Sequence, residues 1–112
     1  MTHFDRNELR SAVANRRDRA IDDLCALVRH DSLLGNETSA QNWVADRFAD
    51  MGLLVERVAI NIDALHDLPG FSPPVTTKYN GRENIVGIHQ PAKQTGRSLI
   101  LNGHIDVVPT GP

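Results

Sequence analysis

The chain has one cysteine in 112 residues, Cys25, which excludes an internal disulfide and gives no sign of an oxidising compartment. Aromatic residues are scarce at 4%, too few for the stacking platforms on which nucleobases are read. No charge of one sign dominates: 12 basic against 14 acidic residues leave a formal charge of −2, which argues against nucleic acid and anionic membrane surfaces as partners. No apolar run approaches the roughly 20 residues of a membrane span. The first ten residues contain no apolar core of a signal peptide, so the expected compartment is the cytoplasm. What remains is an ordinary ordered composition, 40% hydrophobic, in a chain of at most one small domain.

Along that chain the apolar spacing changes from helical to extended. Leu9, Val13, Ala20, Ile21, Leu24 and Val28 recur at helical spacing, and no glycine or proline interrupts them, so residues 5–29 are expected to form one long helix. Cys25 falls on its apolar side and is expected to be a buried, inert thiol. A second helix is expected over residues 37–51, with Asn36 or Thr38 as N-cap and Thr38/Gln41 in the capping-box relation. Trp43, Val44, Phe48 and Met51 form its apolar stripe, and Gly52 stands where a left-handed helix stop is expected.

Residues 53–60, 84–89 and 97–101 then read as three strands. Between the first two lies a long excursion, residues 61–80, with one helical turn expected near 62–66 and the breaks Pro69-Gly70 and Pro73-Pro74. Leu99, Ile100 and Leu101 are consecutive apolar residues, the pattern of a strand buried on both faces. Two helices cannot cover such a strand, so the sheet is expected to hold more strands than these residues provide. The expected class is therefore α/β: two N-terminal helices followed by strands of a mixed, helix-covered sheet in an incomplete domain.

The residues that carry chemistry stand at the end of the third strand. His104 and Asp106 are two apart, so in an extended segment they share a face. A metal-binding histidine commonly donates its second N–H to a carboxylate, which fixes the tautomer and strengthens the ligand. Gly103 removes bulk directly before the histidine, and Pro109 and Gly111 turn the chain away. A catalytic zinc takes about three protein ligands plus water, so this pair alone cannot hold one. By itself a His-x-Asp pair is a weak signal, and two polar groups finishing a strand are the commoner explanation.

The longer pattern Gly103-His104-Ile105-Asp106-Val107-Val108-Pro109, approached through Leu99-Ile100-Leu101, resembles the first metal-binding motif of the M20 metallopeptidase/amidohydrolase family. The turn Gly35-Asn36-Glu37, the stop Met51-Gly52-Leu53 and the segment from Gly81-Arg82-Glu83-Asn84 to Val86 also fit. The last of these, with Pro69-Gly70, looks most like the acetylornithine deacetylase branch. The resemblance implies the N-terminal part of the catalytic domain of a zinc-dependent exopeptidase-like fold. It implies that His104 binds one ion of a two-metal centre, zinc or cobalt, and that Asp106 orients it as a catalytic residue. It further implies hydrolysis of the amide of an N-acyl amino acid by a metal-bridging water with a glutamate base, in a homodimeric enzyme. Desuccinylase, carboxypeptidase or dipeptidase chemistry is the alternative. The family's remaining ligands and its dimerisation domain follow this motif, so residues 1–112 alone are expected to be inactive. A non-enzymatic piece that packs against a partner is the reading from another class.

Other candidates have plainer explanations. His3 is expected in a frayed terminus, His30 beside a helix C-terminus, where a cation is favoured, and His89 exposed at a strand end. Asp63, His66 and Asp67 could form a second metal site, although acidic loops are common. Glu37 suits the dipole of the second helix, and Trp43 and Phe48 suit a core. Arg82 is expected on a turn surface, with contact to a substrate carboxylate as the alternative.

Overall fold

The computed structural model describes residues 5–76, 78–79, 81–93, 95–109 and 111. Their architecture is mixed: four helices and one two-stranded antiparallel sheet. Two compact units divide the chain, residues 1–30 and residues 31–112.

The first unit holds two helices where one was expected. Helix α1 spans Arg6–Ala14 and α2 spans Arg17–Leu27. The Asp5 side chain caps α1 by accepting from the Asn7 N–H at 2.8 Å. The break falls at Asn15 and Arg16. Asparagine is a weak helix former because its side chain competes for the backbone. There the Arg16 N–H bonds three residues back to the Val13 carbonyl, and Arg16 stands at φ −103°, ψ 0°. The apolar residues Leu9, Val13, Ile21, Leu24 and Val28 all stay exposed, and neither helix buries a residue. Cys25 is exposed too, which corrects the expectation of a buried thiol: no described residue of this unit covers the α2 face that carries it.

In the second unit, α3 (Thr38–Asp50) packs on a hairpin of β1 (Leu54–Ala59) and β2 (Glu83–Ile88). Neither expected N-cap forms. The cap position is Glu37, whose side chain makes no cap hydrogen bond because it is directed elsewhere. Ala40 and Ala45 are the buried apolar residues of α3. Gly52 takes φ +77° and stops the helix as expected. The register pairs Leu54 with Ile88, Glu56 with Val86 and Val58 with Asn84 on one sheet face, and Val55 with Gly87 and Arg57 with Ile85 on the other. The second face meets α3. A Cβ on Gly87 would stand 2.6 Å from Phe48 Cδ2 and 2.9 Å from Leu53 Cδ1, so the absent side chain is what lets Phe48 lie on the strand.

The excursion after β1 contains α4 (Ile62–Leu65), capped by the Asn61 side chain, which accepts from the Ala64 N–H at 3.2 Å. The expected third strand is absent among the described residues. Residues 97–101 belong to no helix or strand, with Leu99 81%, Ile100 87% and Leu101 88% exposed rather than buried. Burial on two faces needs neighbouring strands and covering helices, and the described residues place none there. Among the described residues a parallel bridge joins Leu33 and Val107 nearby. No helix among the described residues is long and apolar enough to cross a membrane.

Candidate functional site

His104 and Asp106 lie in irregular extended chain just before that bridge, not at the end of a buried strand. The two side chains nevertheless meet. His104 Nδ1 stands 3.2 Å from Asp106 Oδ1 and 3.0 Å from the Asp106 carbonyl oxygen. A carbonyl can only accept, so Nδ1 must carry the hydrogen and donate. In a neutral ring that geometry corresponds to the Nδ1–H tautomer, and Nε2 meets no partner among the described residues. The His104 side chain is 83% exposed and that of Asp106 53%, so their contact adds little stability.

The Val107 N–H donates to the Ser32 carbonyl at 3.0 Å, and Ser32 is buried. This bond ties the segment of His104 to the turn that precedes α3. The same turn is held by Glu37, which is buried like Ser32. Its Oε1 accepts from the Gly35 N–H at 3.0 Å and from the Arg82 guanidinium at 2.6 Å. Arg82 lies over the Tyr79 ring, 4.7 Å from its centroid. Arg82 is therefore no free turn-surface arginine, and Glu37 is more than a charge at a helix start; each was underread from the sequence. Burial alone pushes the Glu37 carboxyl up. The N–H groups of Gly35 and Glu37 and the Arg82 guanidinium outweigh it and hold the carboxyl below the usual glutamate range. Glu37 Oε2 is buried and meets no donor among the described residues.

Two open depressions flank Arg82. One is lined by Leu34, Gly35, Thr38, Thr76 and Lys78, the other by residues 59–63 with Tyr79. Neither includes His104 or Asp106. His66 Nδ1 meets Asp67 Oδ1 at 2.9 Å, and its ring is 5.6 Å from that of Phe71. His89 is exposed, and His3 lies outside the described residues. Among the described residues no group of three or more His, Cys, Asp or Glu side chains could hold a metal ion, which also removes the Asp63/His66/Asp67 site. His104 with Asp106 thus fits one arm of a metal centre and not a whole one.

No family model, no curated protein and no solved structure matches this chain.

Proposed function

We propose that this chain supplies one histidine ligand and its orienting carboxylate to the metal centre of an amidohydrolase of the M20 type. In this reading His104 binds zinc or cobalt through Nε2, and Asp106 fixes the ring. Donors beyond the described residues complete the centre, and the substrate is an N-acyl amino acid, with acetylornithine the first to try. The observation that carries the reading is the His104 Nδ1–H held by Asp106 while Nε2 stays open, within the pattern Gly103-His104-Ile105-Asp106-Val107-Val108-Pro109. Because the described residues furnish a single ligand arm, no hydrolytic step is assigned to residues 1–112 on their own.

The test is metal-dependent amine release from N-acetylated amino acids by the protein as its own cells make it. The expected result is activity that a chelator removes, zinc or cobalt restores, and His104→Ala lowers at least a hundredfold. Chelator-insensitive activity, or full activity in His104→Ala, sinks the reading. Purified residues 1–112 are expected to show neither stoichiometric tight zinc nor turnover, and robust hydrolysis by them overturns the single-arm assignment. The rival reading, a non-enzymatic packing piece, draws on the exposed run Leu99, Ile100 and Leu101. Absence of turnover in the native protein, together with its co-purification in a stoichiometric complex, favours it.

A further inference from the structure

We propose that the Glu37–Arg82 ion pair is a positioning device for His104, acting through the hydrogen bond between Ser32 and Val107. The proposal rests on the metal-ligand reading of His104 and names residues that serve it without touching the metal.

The path is continuous. Glu37, 5% exposed, is fixed by Arg82 and itself fixes the Gly35 N–H. Gly35 belongs to the turn closed by the Asn36 N–H on the Leu33 carbonyl at 2.8 Å. Ser32, at the entrance of that turn, accepts from Val107, and Leu33 bridges to Val107 in parallel. Asp106 comes next in the chain, and both its carbonyl and its carboxylate receive the His104 Nδ1–H. Among the described residues the Val107 bond is the backbone hydrogen bond that ties residues 95–109 to the rest of the unit. Upstream of His104, Leu99, Ile100 and Leu101 stand almost wholly in solvent.

A buried carboxylate with one orphaned oxygen is a poor way to gain stability, since well-packed apolar residues commonly serve as well. Its value here is direction. A charged acceptor between an arginine and a turn N–H permits one arrangement of that turn, and the turn carries the acceptor for Val107.

The experiment is imidazole and amide NMR on the full 112-residue chain, at a pH where His104 is neutral. In the parent chain His104 is expected in the Nδ1–H tautomer, with the Val107 amide protected from exchange. Glu37→Ala is expected to speed Val107 exchange at least tenfold and to shift His104 toward the Nε2–H tautomer. Glu37→Gln keeps an acceptor for Gly35 and Arg82 and is expected to retain most of both signals. The Val86 amide in the hairpin should stay protected throughout, which separates positioning from unfolding. Unchanged Val107 exchange and an unchanged tautomer in a folded Glu37→Ala chain overturn the proposal. If Glu37→Ala loses the hairpin protection, Arg82→Lys is read by the same two signals. Loss of the hairpin in both variants also overturns it, because the pair then supports the whole unit. The metal reading is tested separately, by the chelator and His104→Ala arms of the amine-release assay on the protein as its own cells make it. A tautomer shift in Glu37→Ala with chelator-insensitive activity removes the metal reading and keeps the path. Chelator-sensitive, His104-dependent activity without the shift removes the path alone.

Discussion

At the residue scale the decisive contact is the one between Glu37 and Arg82. Because Glu37 is held below the usual glutamate range, its contribution to stability is present above the pH at which an unfolded glutamate titrates. It is lost as the pH falls through the lower folded value. The thermal midpoint of the second unit should therefore drop on acidification below the ordinary glutamate range, and Glu37→Gln should flatten that slope. Arg82→Met should cost about 3 kcal/mol at neutral pH, since it strands a buried carboxylate. The loss should shrink at acid pH, where the carboxyl is protonated, as urea denaturation at two pH values can check. These two residues are 45 apart in the chain, and local reasoning had a sufficient role for each: a helix dipole for Glu37, a turn surface for Arg82. Pairing across such a separation leaves no periodic trace. The His104–Asp106 contact was legible because it needs only extended backbone over three residues.

At the scale of elements, Gly87 sets how closely α3 approaches the hairpin. Gly87→Ala should destabilise the unit by about 1–3 kcal/mol, the usual cost of forcing extra volume into a packed contact. Combining it with Phe48→Leu should recover part of the loss, because Phe48 supplies two of the close atoms. Helix α3, the turn at α4 and both hairpin strands stood in the sequence within a residue or so of their observed ends, since apolar period, Gly52 and Asn61 mark them locally. The break between α1 and α2 did not. The stripe from Leu9 to Val28 keeps helical spacing through Asn15 and Arg16, and a weak helix former at one position is a slight signal against it.

At the scale of the whole molecule the apolar residues outnumber the places that cover them. Leu99, Ile100 and Leu101 form an exposed extended run, and Leu54, Val58 and Val86 line the hairpin face away from α3, with both strand edges open. The chain should self-associate as its concentration rises. Ile100→Lys should reduce that association in sedimentation velocity while leaving the hairpin amides protected. The expectation of a doubly buried strand at residues 97–101 failed for the same reason. A sequence run shows what a segment needs around it, and only the fold shows whether the neighbours are there. The placement of aromatic residues has a practical consequence as well. Trp43 and Tyr79, the one tryptophan and one tyrosine of the chain, both belong to residues 31–112, whereas α1 and α2 contain neither. Indole emission thus reports from within the second unit, while far-ultraviolet ellipticity follows the helices of both. Comparing the two traces resolves whether residues 1–30 unfold in a separate transition, without a label or a truncation.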